Sequence, residues 1–306
     1  MKKIVVLGSL NMDFVIRVKE RPGVGETVLG ENVRLVPGGK GANQAYAAGK
    51  LGGAVAMLGA VGEDGYGEQL CQNLRSVRVD TKGIRKLGNV PTGQAFVSVY
   101  DSGDNSIIVI PGANGELSRE MIEQEMGCID ECDYIVMQME IPLDVIRYVK
   151  EMAVRKGKKV VLDPAPAVAG LEDEFWKGIT ILKPNETELG ILTGKRPKTQ
   201  EEIKDAARSM VEKGVETVIV TLGEKGCLLV DAKKEEYFPV HKVKIKDTTA
   251  AGDSFIAALV VALCEGKTYE EAVVFAQRVS AIVVTRQGAQ TSIPWRREME
   301  EEQTWG

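Results

Sequence analysis

The chain has 306 residues, 44% of them hydrophobic and 27% charged, and a formal net charge of −5. That profile belongs to a globular protein large enough for one α/β unit and an appendage, and it excludes a disordered chain. The acidic balance argues against a nucleic-acid partner, whose phosphates demand clustered Lys and Arg, and the longest apolar run, 255–264, is far short of a membrane span.

Met1-Lys2-Lys3 leads into four apolar residues rather than a signal-peptide core, so a cytoplasmic protein is expected. Residues 3–9 form a continuous apolar run ending in Gly8-Ser9, which predicts a strand buried on both faces of a parallel sheet. Asn11-Met12-Asp13 follows at its carboxyl end, where open α/β sheets bind ligands. An Asn and an Asp two apart offer donors and acceptors to vicinal hydroxyls; an ordinary polar loop explains them equally well. Residues 14–18 and 26–36 alternate apolar and polar, as do 94–100 and 106–110 around the turn Asp101-Ser102-Gly103-Asp104. They predict antiparallel strands outside the main sheet, a discontinuous β lid over about 14–36 and 94–110 that excludes water from a ligand, forms a dimer contact, or does both. Gly38-Gly39-Lys40-Gly41-Ala42-Asn43-Gln44 opens a helix at 42–51, followed by a strand at 55–58. Its glycines allow the backbone close to a ligand, with Lys40 in reach of a phosphate and Asn43 of a hydroxyl, although a glycine-rich loop alone is weak evidence.

From Asn114 onward helices and strands alternate: helix 118–127, strand 134–139, helix 143–156, strands 159–162 and 180–182, helix 201–213 and strand 217–221. This predicts a doubly wound, mostly parallel α/β sheet with helices on both faces, in a single unit over 1–306. Glu140 and Asp163 then fall on the ligand edge; a solvated loop carboxylate accounts for Glu140 as well, and Asp163 has no assigned role. Asn185-Glu186-Thr187-Glu188 has the spacing of a capping box, and Thr221-Leu222-Gly223-Glu224-Lys225-Gly226 that of a glycine turn between strands. Residues 240–246 alternate like a strand, in which the single histidine, His241, is expected at the surface. One histidine leaves Ser-His-Asp, Cys-His and histidine-metal designs almost nothing to work with. Cys71, Cys128, Cys132, Cys227 and Cys264 include no C-x-x-C pair and are expected to be reduced thiols. No Walker-A or G-x-G-x-x-G fingerprint is present. Helices are predicted at 254–264 and 269–285, and the acidic tail 298–303 as a solvated helix end.

Between the expected strand 240–246 and the helix 254–264 lie Asp247-Thr248-Thr249-Ala250-Ala251-Gly252-Asp253. Small side chains at a helix N-terminus leave its unpaired amides open as an anion pocket. Asp253 at its mouth stands where a base would take the proton of a hydroxyl attacking phosphorus; a plain N-cap is the structural alternative. Continued through Ser254-Phe255-Ile256-Ala257-Ala258-Leu259, the stretch resembles the second signature of the ribokinase (PfkB) family of carbohydrate kinases. Gly39, Gly41, Asn43, Ala45, Gly52 and Gly62 fall at the spacing of that family's first signature, and the resemblance covers essentially the whole chain.

The resemblance implies transfer of the ATP γ-phosphoryl group to O5 of D-ribose, with Asp253 as base and an anion hole at Ala250, Ala251, Gly252 and Asp253. It implies sugar contacts from Asn11, Met12, Asp13, Gly39, Lys40, Gly41, Ala42, Asn43, Glu140 and Asp253. Nucleotide contacts are implied at Asn185, Thr221, Leu222, Gly223, Glu224, Lys225, Gly226, Gly252, Asp253 and Gln277. Glu188 is implied to organise Mg²⁺ indirectly, and Asp247, Thr249, Val283, Arg286, Gly288 and Ser292 to hold K⁺, several through carbonyls. A homodimer through the lid is also expected. The alternatives are another acceptor, such as deoxyribose, fructose or adenosine, or a sugar-binding sensor without turnover.

Overall fold

The computed structural model describes residues 2–301 apart from Gly103 and His241. The surface-strand expectation for His241, the centre of the 101–104 turn and the end of the acidic tail therefore lie outside the described residues. In chain order the elements begin with β1 (Lys3–Leu7), β2 (Asn11–Val18), β3 (Gly30–Gly38), α1 (Lys40–Lys50), β4 (Ala54–Gly62), α2 (Gly65–Ser76), β5 (Ile84–Leu87), β6 (Gly93–Tyr100) and β7 (Asn105–Ile110). Then follow α3 (Arg119–Glu123), α4 (Met126–Glu131), β8 (Tyr134–Gln138), α5 (Leu143–Arg155), β9 (Lys159–Asp163), α6 (Asp173–Trp176), β10 (Ile181–Leu182), α7 (Glu186–Thr193) and α8 (Gln200–Glu212). The chain closes with β11 (Thr217–Thr221), β12 (Cys227–Asp231), β13 (Glu235–Phe238), α9 (Ala251–Cys264), α10 (Tyr269–Val284) and α11 (Arg296–Glu301).

Nine strands form one sheet in the order β13-β12-β11-β10-β9-β8-β1-β4-β5. Its pairings are parallel from β5 through β11, and β12 and β13 are added antiparallel at one edge. The alternation of a strand's side chains sends Ile4 and Val6 of β1 into one core and Val5 and Leu7 into the other. The first core is covered by α1, α2, α9 and α10, the second by α3 to α8. This is the doubly wound α/β architecture expected from the uniformly apolar strand runs. Among the described residues no helix is long and apolar enough to cross a membrane.

The second sheet is a four-stranded one, β3-β2-β6-β7. It corrects one expectation: β2 and β6 run parallel, while β2–β3 and β6–β7 are antiparallel. The chain leaves this sheet through α1, β4, α2 and β5 before β6, so β6 arrives by a crossover rather than a hairpin.

Three further expectations are corrected. Residues 242–246 are irregular, and the strand before α9 is β13, ending at Phe238. Alternation there marks an extended loop, whose Val243 and Ile245 border a cleft rather than a sheet. The helix expected at 118–127 begins at Arg119 after a Ser118 cap and breaks at Gln124 and Glu125 into α3 and α4. And α9 begins at Ala251, so its N-cap is Ala250 and Asp253 lies inside the first turn.

Candidate active site

The strand order reverses between β1 and β8, and the loops leaving the carboxyl ends of β1, β8, β9, β10 and β11 open on one edge. Helices α1 and α9 deliver their N-termini to it. The start of α1 approaches the exit of β1 so closely that a Cβ on Gly41 would lie 2.7 Å from the carbonyl carbon of Gly8. Gly39, the N-cap of α1, has φ +86, a left-handed value that glycine adopts without strain.

Asp253 is 6% exposed. Its Oδ2 accepts a hydrogen bond from Asn43 Nδ2 at 2.9 Å and its Oδ1 one from Gln44 Nε2 at 3.1 Å. Asn43 is itself held, accepting from Gln290 Nε2 at 3.0 Å. Ala250 caps α9 in the left-handed region, φ 60, without a side-chain hydrogen bond, and the Ala251 amide turns back to the Thr248 carbonyl at 3.2 Å. Gly252 and Asp253 are the next two residues of the turn and, like Ala250 and Ala251, they border the cleft. Asp253 is therefore a first-turn residue with both carboxylate oxygens fixed, not a cap.

Around it the residues read as sugar contacts converge. Glu140 Oε2 accepts from Ser9 Oγ at 2.5 Å and from the Lys40 amide at 3.1 Å. Burial, reinforced by Asp253, raises its pKa, although the Ser9 bond and the Lys40 charge work against that. Asp13 is pushed up to about 7 by burial, with Glu140 and Asp253 adding to the effect. Its carboxylate lies against Gly38, where a Cβ would be 2.1 Å from Oδ2. Lys40 answers this negative field: burial opposes its charge, but Asp253, Asp163, Glu140 and Glu188 outweigh burial and raise its pKa. Asn11, 4% exposed, accepts from Asn114 Nδ2 at 2.8 Å, and Asn114 is pinned in turn by the backbone of Leu10. The side chains of Met12 and Ala42 belong to the core.

A cleft of about 600 Å³ extends from Lys40 and Asp253 over the turn 250–252 to the far strands. Asn185, Thr221, Gly223, Glu224, Gly226 and Gln277 line it, so six of the residues read as nucleotide contacts share one surface with Gly252 and Asp253. Leu222 instead faces the core, and the Lys225 carbonyl is taken by the Tyr237 hydroxyl. Gln277 donates to the Phe238 carbonyl at 2.9 Å. The capping box is present: Asn185 Oδ1 accepts from the Glu188 amide and Glu188 Oε2 from the Asn185 amide, both at 2.8 Å. Burial raises the pKa of Glu188 even against that bond.

The residues read as a monovalent-cation site lie on two segments joined by Asp247. Its Oδ1 accepts from the amide and hydroxyl of Thr249 at 2.9 and 2.6 Å, and its Oδ2 from the Gly288 amide at 2.9 Å. Burial opposes the Asp247 charge, yet these bonds hold its carboxyl below the usual range. The Val283 carbonyl accepts from the Arg286 amide, the Arg286 guanidinium pairs with Glu298 at 2.7 Å, and Ser292 Oγ donates to the Ala289 carbonyl. The oxygens that these residues could offer, backbone carbonyls and hydroxyls with the Asp247 carboxylate, are of the kind that suits a hard cation. Among the described residues no cluster of three or more His, Cys, Asp or Glu forms a metal site.

Several residues here had no assigned role in the sequence reading. Gln44 and Lys183 stand beside motifs but carry no signal of their own, Asn114 and Gln290 meet the site only through folding, and Asp163 proves to pair with Lys183 at 3.1 Å.

Comparison with known proteins meets this geometry. The model of the pfkB family of carbohydrate kinases matches residues 1–296, and the chain belongs to that family. Among curated relatives, the ribokinase of Haemophilus influenzae is 42% identical over 97% of both chains, and the deoxyribokinase of Salmonella typhi is 37% identical over 95% of both. Among solved structures, the ribokinase of Arabidopsis thaliana complexed with ribose and ATP superposes with a TM-score of 0.90 at 33% identity, covering 100% of this chain and 99% of that one.

Proposed function

We propose that this carbohydrate kinase transfers the γ-phosphoryl group of ATP to O5 of D-ribose, giving D-ribose 5-phosphate and ADP. The observation that carries the reading is Asp253: a buried carboxylate, held at both oxygens, between the polar pocket of Asn11, Asp13, Asn43 and Glu140 and the cleft at the head of α9. The ribokinases among its relatives, one of them solved with ribose and ATP, support ribose as the acceptor in this reading.

In this mechanism Asn11, Asp13, Asn43 and Glu140 orient the sugar hydroxyls, with Gly39, Gly41 and the backbones of Met12 and Ala42 shaping the pocket. Asp253 takes the O5 proton as O5 bonds to the γ-phosphorus, and the bond from that phosphorus to the β-γ bridging oxygen breaks to release ADP. The amides of Gly252 and Asp253 face the charge that develops on the γ-oxygens, and Lys40 adds a fixed positive charge. Asn185, Gln277 and the loop of Thr221, Gly223, Glu224 and Gly226 hold the nucleotide. Glu188 would help organise, indirectly, the Mg²⁺ that accompanies ATP, and that ion would supply charge neutralisation at the phosphates. K⁺ is assigned to Asp247, Thr249, Val283, Arg286, Gly288 and Ser292, where it would fix the direction of the carbonyls and amides behind the anion turn. The β lid closes over the sugar and joins two copies of the chain.

The second reading keeps this chemistry with 2-deoxyribose as acceptor, and the Salmonella typhi deoxyribokinase is the observation in its favour. Coupled ADP release from Mg-ATP, with ribose, deoxyribose, fructose and adenosine compared in K⁺ and Na⁺ buffers, tests both. The expected result is fastest turnover on ribose and more in K⁺ than in Na⁺. Faster turnover on deoxyribose selects the second reading; equal rates in the two salts remove the cation site. No turnover on any acceptor leaves a sugar-binding protein.

A further inference from the structure

Asp163 has no part in the chemistry above, yet it is 1% exposed and ends β9 close to the base. Lys183, 4% exposed, follows β10 and places its Nζ 3.1 Å from Asp163 Oδ1 and 3.5 Å from the Gly252 carbonyl oxygen. Gln44, 1% exposed, joins this pair to Asp253. Its Nε2 donates to Asp163 Oδ2 at 2.9 Å and to Asp253 Oδ1 at 3.1 Å, and its Oε1 accepts from Gln138 Nε2 at 2.6 Å. An amide nitrogen carries two hydrogens and its oxygen none, so two carboxylates on one side and a donor on the other leave Gln44 a single orientation. Gln138 is confined as well, since a Cβ on Gly8 would lie 1.8 Å from its Oε1.

We propose that Lys183, Asp163 and Gln44 form a positioning chain for Asp253: the buried ion pair anchors Gln44, Gln44 aims the carboxylate, and the Lys183 ammonium steadies the Gly252 carbonyl in the anion turn. The inference rests on the reading of Asp253 as the base. A buried ion pair adds little net stability over well-packed apolar residues of similar volume, so orientation accounts for this one better than stability does. The other groups facing Asp253 are Asn43 and Lys40 from α1, Asp13 from β2 and Glu140 after β8.

The test compares kcat and KM of the full-length enzyme with Lys183→Met, Asp163→Asn, Gln44→Leu and Asp253→Asn across the pH range. Lys183→Met leaves a negative charge uncompensated near the base and is expected to move the acid limb of the kcat profile to higher pH by about one unit; Asp163→Asn leaves a positive one and moves it lower. A pair that serves packing alone does not give opposite signs. Gln44→Leu is expected to lower kcat by up to about 100-fold while KM for sugar and ATP stays within about threefold. Added to Asp253→Asn, it should cost nothing more, because residues acting as a unit are not additive. Should Lys183→Met fail to fold, Asp163→Asn and Gln44→Leu decide. Limbs that stay put or move together, or a Gln44→Leu loss that multiplies with that of Asp253→Asn, overturn the chain. Full turnover in Asp253→Asn alone overturns the base assignment, and the positioning chain falls with it.

Discussion

At the scale of single residues, the candidate site concentrates buried and half-buried carboxylates, Asp13, Glu140 and Asp253, in one place. Asp253 is the sharpest case: with its oxygens already ordered by Asn43 and Gln44, it needs little reorganisation to accept a proton. Replacing it by Asn keeps the shape and removes the proposed base, so turnover should fall by roughly 10²- to 10⁴-fold. Sugar binding, measured by calorimetry on the same variant, should persist; turnover near wild type would remove the assignment. Asp13 makes a different prediction. Burial, then Glu140 and Asp253, lift its carboxyl from the ordinary 3.8 to about 7. The folded state thus holds this proton more tightly than the unfolded chain, and its contribution to stability, full below about pH 4, is lost as the pH rises toward about 7. Asp13→Asn should therefore stabilise the ligand-free protein by on the order of 2–4 kcal/mol at about pH 8 and by less than about 1 kcal/mol at about pH 4. Urea melts at the two pH values check this, and a difference independent of pH would count against it.

At the scale of elements, the turn 247–253 and the helix it opens were the most legible parts of the chain. Their chemistry is local: small residues, two Asp and an apolar helix occupy a few consecutive positions. The loop 38–44 was legible for the same reason. The irregular 242–246 segment was not, because alternation of apolar and polar residues describes an extended loop beside a cleft as well as it describes a strand, and Ile245 remains 54% exposed. The parallel pairing of β2 with β6 was hidden because strand periodicity carries no direction. Asp163 was placed on the ligand edge without a role, and the link through Gln44 and Lys183 was hidden because their contacts join distant positions: Gln44 and Asp163 are 119 residues apart, and Gln44 and Asp253 209. The element also carries its own prediction. Ala250 has a left-handed backbone that costs a non-glycine residue about 1 kcal/mol, a strain consistent with aiming the first turn of α9 at the cleft. Ala250→Gly relieves that strain but frees the turn, so thermal stability should change by less than about 1 kcal/mol while kcat drops several-fold. Unchanged kcat in a stable variant would mean that the conformation of Ala250 is not used.

At the scale of the molecule, the two sheets divide the work. The nine-stranded sheet brings Asp253, Lys40 and the residues proposed to hold the nucleotide to one edge, while the four-stranded sheet carries Asn11 and Asp13 into the same site on β2. Its inner side is anchored by Phe14, stacked on Phe96 at 4.9 Å and edge-on to Tyr66 of α2 at 5.7 Å. Its outer strands leave apolar surface uncovered: Val33 and Leu35 on β3, and Ile107, Ile108, Val109 and Ile110 on β7, all between 44% and 67% exposed. By register Val33, Leu35, Ile108 and Ile110 share one face of the sheet and Ile107 and Val109 the other, and edge strands with exposed apolar side chains invite pairing. If a second copy of the chain covers this sheet, placing charges there should both separate the copies and loosen the support of Asn11 and Asp13. Ile108→Lys combined with Leu35→Lys is therefore expected to convert a dimer to a monomer in sedimentation velocity and to raise KM for the sugar more than it lowers kcat. A wild-type protein that sediments as a monomer at micromolar concentration would refute the dimer. A monomeric variant with unchanged KM would separate assembly from sugar binding and leave lid closure to the single chain.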